Sequence, residues 1–465
     1  MDRLSALDTE FLHLEDGVVH MHIAGVCVFA DPPPPLAEVA ALIESKLHLI
    51  PRYRQRVRTV PFELGRPVWV DDPHFDLGYH LRHTALPAPG DDATFSRFMG
   101  RIMSQPLDRE RPLWETWLVE GLEGGRWALV FKIHHCLVDG IAGVELLTAL
   151  LDVEPTTKVG EPEPWAPALE PSGVSKVLNA WNGLLSSAWE EARGIPKSVI
   201  HPVEAGRASL ATATGTVRLL RRLAPTPPLS IEGSIGPHRV WAHSEGSLAD
   251  VKMIRSALGG TVNDVALAAV TGGYRALLLG RGEDVDRAVV RSLLPVSTRH
   301  DDGRGIPDNR VSALLYDLPV HVADPVERLE LVHAQLLELK GSHIAEAGEA
   351  VTSITNLIPP MVVGSFSRLA MRSAGRLGQR SLNTVTTNVP GPQFPLYCLG
   401  HLMEEYHPFV PISHGVRIGT AILSYNGKLY FGFTGDYQSV PDIDTLATAT
   451  ASGLDELRDR AGAAI

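Results

Sequence analysis

Residues 153–172 read VEPTTKVGEPEPWAPALEPS, and this stretch constrains the architecture of the chain more than any other. Proline has no backbone N–H and interrupts both helix and sheet ladders, so a segment so rich in Pro and Glu cannot form a core. It divides 465 residues into two parts, each long enough to bury a core of its own. The expected boundaries are 1–152, a Pro-rich and helical linker over 153–238, and 239–465. Within the linker, helical stretches are expected near 174–192 and 205–223, followed by a second break at APTPPLS, residues 224–230.

Both flanking parts alternate short strand and helix patterns, which predicts an α/β fold class. Ile23–Phe29 reads as a strand and Leu36–Leu49 as a helix. Trp127–His134 (WALVFKIH) places Trp127, Leu129, Phe131 and Ile133 on one face, which predicts a half-buried strand. Further on, HRVWAHSE reads as a strand. Ser247 with Asp250, and Thr261 with Asp264, have the spacing of helix starts, the second ahead of a helix over Val265–Leu279. Val290–Val296 reads as a buried strand. Asn426-Gly427, between Ala421–Ser424 and Lys428–Thr434, predicts a hairpin closed by a type I′ turn.

Charge and cysteine usage exclude several classes. With 42 Lys+Arg against 54 Asp+Glu the net charge is −12, so there is no cation excess to replace phosphate counterions and nucleic acid is not an expected partner. No uncharged apolar run reaches the ~18 residues of a spanning helix. The opening MDRLSALDTEFLHLED lacks the basic and apolar regions of a secretory leader. Cys27, Cys136 and Cys398 are far apart and odd in number, which predicts neither a disulfide framework nor a zinc–thiolate site and fits a cytoplasmic protein.

The chemistry-bearing segment is His134-His135-Cys136-Leu137-Val138-Asp139-Gly140, directly after the alternating strand. Successive strand residues project to opposite faces, so His134 and His135 do not both enter one cleft. A histidine where a strand gives way to an irregular turn can present a ring nitrogen to a cavity and accept a proton near neutrality. Asp139 fits a His–Asp pair, and it equally fits a residue that braces the turn and caps the helix beginning near Ile141. A metal set from His134, His135 and Asp139 lacks the helical spacing of common zinc sites, and no metal is expected. Cys136 as nucleophile would need its side chain on the same face as a histidine base.

HHCLVDG, as H-H-x-x-x-D-G, resembles the active-site motif of the bacterial wax ester synthase/diacylglycerol acyltransferase family. The resemblance extends in order along essentially the whole chain: Leu4-Ser-Ala-Leu-Asp8-Thr-Glu-Phe11, Pro51-Arg-Tyr-Arg-Gln-Arg56, Trp69 to Arg82, Pro106-Leu-Asp108, Arg111-Pro-Leu-Trp-Glu115, Asn263-Asp264, Pro295-Val-Ser-Thr-Arg299, Asn309, and Asn388-Val-Pro-Gly-Pro392. Asp308-Asn309 stands where the family usually has Gly-Asn, and Thr387 where Ser is common.

The resemblance implies two chloramphenicol acetyltransferase-like α/β domains with an active-site tunnel at their interface. It implies an acyl-CoA-dependent O-acyltransferase that esterifies diacylglycerol, or a long-chain alcohol to give wax ester, with acyl-CoA as substrate and no resident cofactor. His135 would be the general base, His134 a pocket residue, Asp139 an orienting residue held by Arg299, and Gly140 part of the turn. Asn263 and Asp264 could face the tunnel or simply open a helix; Asn388 could bond substrate or hold a sharp loop. Other readings of the same tunnel are transfer to another alcohol or an amine, and a noncatalytic lipid-binding or lipid-droplet protein.

Lipid substrates require a lipid surface met from the aqueous side, at the inner membrane or at lipid bodies. Residues 361–380 carry no acidic residue, and Arg368, Arg372, Arg376 and Arg380 recur every four residues beside Val362, Phe366, Leu369, Ala370 and Leu377. That pattern fits a basic amphipathic helix lying in a headgroup layer, and equally an ordinary surface helix packed inward. The Val177, Trp181, Leu184, Leu185 and Trp189 stripe is a second, less basic candidate.

Overall fold

A computed structural model describes residues 2–61, 64–137, 140–173, 225–297, 311–341 and 381–464. The linker helices expected near 174–192 and 205–223, the 361–380 stretch, Asp139, Arg299 and Asn309 lie outside the described residues.

Two six-stranded mixed sheets organise the described chain. The first contains, in spatial order, β12 (Tyr397–Cys398), β13 (His401–Phe409), β2 (His22–Phe29), β7 (Trp127–His134), β6 (Trp114–Glu120) and β5 (Leu81–Ala85). The second runs β10 (Val311–Leu318), β9 (Val290–Ser297), β11 (Thr384–Val389), β14 (Ile418–Tyr425), β15 (Lys428–Asp436) and β8 (Arg239–Ser247). A three-stranded sheet of β1 (Asp2–Arg3), β4 (Val68–Asp71) and β3 (Gln55–Arg58) flanks the first. The helices longer than one turn among the described residues are α1 (Ala6–Leu14), α2 (Leu36–Lys46), α3 (Asp92–Met103), α4 (Gly140–Leu150), α5 (Leu248–Leu258), α6 (Val262–Gly280), α7 (Pro325–Gly341) and α8 (Ile443–Ala464).

Strand β7 departs from the half-buried expectation, because all eight of its residues are buried. Its odd face meets α2 and α4 through Leu42, Ile43, Leu146 and Leu150. Its even face meets α3, where Ala128 and Val130 pack on Phe95, Met99 and Ile102. Covering by helices on both sides is what turns an alternating pattern into a central strand.

In the C-terminal half, Val265 to Val270 of α6 are all fully buried between sheet and α8. The helix starts as its sequence predicts: the Thr261 hydroxyl accepts from Asp264 N, and the Asp264 carboxylate accepts from Thr261 N at 2.8 Å. The hairpin also forms as expected, with Tyr425 opposite Lys428 and positive φ at Asn426 (43°) and Gly427 (85°), as a type I′ turn requires.

Strand β13 belongs by sequence to the C-terminal half, yet it pairs with β2 in the N-terminal sheet. It also lies against β15 so closely that a Cβ at Gly432 would sit 1.8 Å from the Pro408 carbonyl oxygen. Trp241 of β8 donates its indole N–H to that same carbonyl at 3.3 Å and packs among the α3 residues of the N-terminal core. The two sheets are therefore joined by strand exchange and by packing.

Candidate active site

Strand β7 ends at His134, and a turn follows in which the Leu137 N–H donates to the His134 carbonyl at 2.9 Å. His135 already lies in that turn, so the two rings are placed by different contacts rather than by strand alternation. His134 is 1 % exposed. Its Nδ1 accepts from the Cys136 N–H at 3.1 Å, which places the ring proton on Nε2, 3.3 Å from Glu15 Oε1. His135 is half-buried and stacks on Phe11, with ring centroids 4.2 Å apart. Its backbone N–H donates to the Met21 carbonyl at 2.8 Å.

Glu15 organises this corner. Its Oε1 accepts from the Met21 N–H at 2.7 Å, and its Oε2 accepts from Arg109 Nη2 at 2.7 Å. Burial alone would raise the Glu15 carboxyl; His134 and Arg109 outweigh it and hold the group well below the usual carboxylate range. The loop carrying Glu15 and Met21 is tied to the C-terminal half, since Arg239 Nη2 donates to the Val18 carbonyl at 2.6 Å and His414 lies 3.0 Å from Asp16.

Beneath His134 lies a buried basic layer. Lys132 is fully buried and donates to the carbonyls of Ile102 at 2.9 Å and Gln105 at 2.6 Å. His22, the cross-strand partner of His134, contacts the Met103 carbonyl at 2.8 Å. These groups satisfy the exposed carbonyl end of α3. Burial pushes Lys132 down to about 8 and His22 well below its ordinary value. Burial likewise pushes the Cys136 thiol well up, so this cysteine lacks the thiolate a nucleophile needs.

In the C-terminal half the site candidates divide. Asn388 donates through Nδ2 to Asn263 Oδ1 at 2.8 Å, so the structure brings together two motifs 125 residues apart. Asn388 does not sit in a loop as expected; it is the penultimate residue of β11, opposite Ile422, and the loop begins at Pro390. The parallel ladder to β14 holds it in extended backbone. Asp264 is 2 % exposed, bound to Thr261 N and, at 2.7 Å, to His333 Nδ1. A neutral polar seam continues from Asn388 beneath α6: Ser292 bonds Thr386 at 2.9 Å, and the Tyr274 hydroxyl meets Thr384 at 2.7 Å and Thr420 at 3.0 Å. Gly140 opens α4. Asp139 and Arg299 are not among the described residues.

No group of three His, Cys, Asp or Glu among the described residues could hold a metal ion. A cleft of about 670 Å³ opens elsewhere, on the outer helical layer between α6, α7 and α8, lined by Arg275, Arg328, Thr448 and Glu456 among others. It shares no residue with the histidine turn.

Comparison with known proteins settles the family. The wax ester synthase/diacylglycerol acyltransferase catalytic domain matches residues 4–266, and the C-terminal domain of the same family matches 308–458. The chain belongs to the wax ester synthase/diacylglycerol acyltransferase family. A probable diacylglycerol O-acyltransferase, tgs1 of Mycobacterium tuberculosis, is 37% identical over 458 residues, covering 96% of this chain and 94% of that protein. The solved wax ester synthase/diacylglycerol acyltransferase of Marinobacter aquaeolei VT8 is 27% identical, with a TM-score of 0.69 over 99% of this chain and all of that one. The first condensation domain of the calcium-dependent antibiotic synthetase shares the fold at 16% identity and a TM-score of 0.60, over 99% of this chain and 96% of that one.

In this family member, sequence reasoning carried Phe11 only as the end of the opening block, without its stacking on His135, and missed Glu15, His22 and Lys132. Lys132 offered a signal, being a lone cation inside the apolar run WALVFKIH. Glu15 offered none, because its role arises from contacts with His134 and Arg109 about a hundred residues away.

Proposed function

We propose that this chain is an acyl-CoA-dependent O-acyltransferase that esterifies diacylglycerol and long-chain alcohols, with His135 as general base. The observation that carries the reading is the division of labour at the histidine turn. His134 has one ring nitrogen engaged by Cys136 N–H and the other facing Glu15, whereas His135 is partly exposed and stacks on Phe11. His135 Nε2 removes the acceptor hydroxyl proton as the oxygen attacks the thioester carbonyl. The C–S bond breaks, and the imidazolium returns the proton to the CoA thiolate. No acyl-enzyme and no resident metal or cofactor enters this scheme. A base of this kind contributes roughly 10²–10⁴ in rate, and holding both substrates in one interdomain tunnel adds an orientation term.

In the same reading Asp139, paired with Arg299, orients the turn, and the enzyme meets diacylglycerol at a lipid surface from the cytoplasmic side. No helix among the described residues is long and apolar enough to cross a membrane, which fits peripheral attachment at the inner membrane or at lipid bodies. The deciding assay follows free thiol release from palmitoyl-CoA across diacylglycerol, hexadecanol and amine acceptors, with and without a chelator. Ester formation that survives chelation and vanishes in a folded His135→Ala variant is expected. Thiol release that persists in that variant overturns the base assignment.

A further inference from the structure

The Pro51–Arg56 block has no role in the histidine turn, and its arginines are unusually placed. Arg54 is 8 % exposed, yet no described residue makes a hydrogen bond to its guanidinium, and its Nε is fully enclosed. Enclosing that Nε–H without a hydrogen-bond acceptor is unfavourable, and the nearby carboxylates of Asp71 and Glu163 act on the group through space only. Its neighbour Arg56 reaches Glu170 at 3.0 Å and the buried Asp72 at 3.8 Å, and Arg58 approaches Glu170 at 3.7 Å.

What covers this strip is the acidic Pro-rich segment 161–171. Trp165 lies over the Arg54 guanidinium at 4.8 Å, and Glu170 faces Arg56 and Arg58. The segment is pinned by one main-chain bond, Ala168 N to Asp71 Oδ2 at 2.9 Å, and Leu169 points into solvent at 97 % exposure. It therefore offers the strip an aromatic ring on one guanidinium and an anionic oxygen pair on the next. An adenosine phosphate combines the same two groups, a flat ring that stacks on Arg and oxygens that a guanidinium fork accepts.

We propose that Arg54 and Arg56 form a binding site for the adenosine-phosphate end of acyl-CoA, and that segment 161–171 occupies this site until the nucleotide displaces it. The choice of coenzyme A rests on the acyltransferase reading above; the anion site itself rests on the enclosed Arg54 Nε without an acceptor and on the Trp165 and Glu170 contacts that cover the two guanidinium groups. The strip is one layer from the histidine turn. The Tyr53 carbonyl accepts from Trp114 Nε1 at 2.9 Å, Trp114 sits opposite Ile133 on β7, and Val57 packs in the cluster that contains Cys136.

The test is calorimetric titration of the full chain with adenosine 3′,5′-bisphosphate, with inorganic phosphate and phosphatidylglycerol vesicles as parallel probes. Arg54→Met should weaken bisphosphate binding roughly tenfold, the scale of one charge-assisted contact. Its unfolding temperature should hold or rise, because an unpaired buried charge has been removed. Trp165→Ala and Glu170→Gln should tighten binding several-fold by weakening the competing segment. Bisphosphate affinity unchanged in Arg54→Met overturns the site. Inorganic phosphate binding as tightly as the bisphosphate, or vesicles alone binding in an Arg54-dependent way, overturns the nucleotide assignment. Thiol release separates the two proposals. Ester formation with the acyl-CoA KM unmoved by Arg54→Met removes the site and leaves the transferase. Arg54-dependent bisphosphate binding without any ester formation keeps the site and removes the transferase.

Discussion

Under His134 the N-terminal sheet buries His22 and Lys132 against the carbonyl end of α3, and Glu15 meets the same histidine from the loop after α1. The polar seam of the C-terminal half is built from Asn263, Asn388, Ser292, Thr384, Thr386 and Tyr274. Its buried carboxylate, Asp264, is engaged by Thr261 and His333. The N-terminal layer is thus built around ionisable side chains, whereas the seam from Asn388 to Tyr274 is built of amides and hydroxyls, with the Asp264–His333 pair at the start of α6 as the ionisable exception. Changing a neutral amide of the seam is therefore expected to leave the titrations of the N-terminal layer untouched.

The strongest way to break this contrast is at the base. His135→Ala should lower ester formation by roughly 10²–10⁴ with the fold intact, whereas His134→Ala should act mainly on stability. Thiol-release kinetics beside far-ultraviolet circular dichroism distinguish the two. Next is Glu15→Gln, which keeps the shape and removes the charge between His134 and Arg109. It should cost ~1.5–3 kcal/mol in urea unfolding and on the order of tenfold in kcat by loosening the turn. A variant as stable and as fast as wild type would show that Glu15 does not position the histidines.

Lys132 gives a pH signature. Its folded pKa of about 8 lies below its ordinary 10.5, so below pH 8 both folded and unfolded chains hold the proton and the burial penalty is constant. Between about 8 and 10.5 the unfolded chain binds more protons, and this group makes stability rise with pH. Lys132→Met should remove that rise, read as urea midpoints at pH 8 and pH 10. The smallest effect is expected at Asn388→Ala, about 1 kcal/mol for one neutral hydrogen bond, with the pH profile of turnover unmoved. A shifted profile there would mean that the C-terminal half takes part in proton transfer.

Most local elements were legible because their signals are local. The strand 127–134, the Thr261/Asp264 helix start and the Asn426-Gly427 hairpin each need only a few neighbouring residues to be favoured. What escaped depends on distant partners. The burial of both faces of β7 requires α3 and α2 to be in place. The Asn388–Asn263 bond joins elements that no periodicity connects. Strand β13 reads HLMEEYHPF, and a register shift between Met403 and Glu405 breaks the alternation that would have marked it. The histidine turn was recognisable as chemistry, but the carboxylate that meets it sits just past the opening helix, with partners about a hundred residues away.

The placement of β13 beside β2 also bears on how the protein is made. A ribosome delivers the histidine turn early, yet the sheet that carries it stays one interior strand short until residue 409 has emerged. At ~5–20 residues per second that interval is on the order of tens of seconds. Throughout it the β2 edge is an open template for foreign strands. Expression of residues 1–152 alone would make that exposure permanent, whereas slowing translation downstream of residue 152 would lengthen it and raise the demand for chaperones.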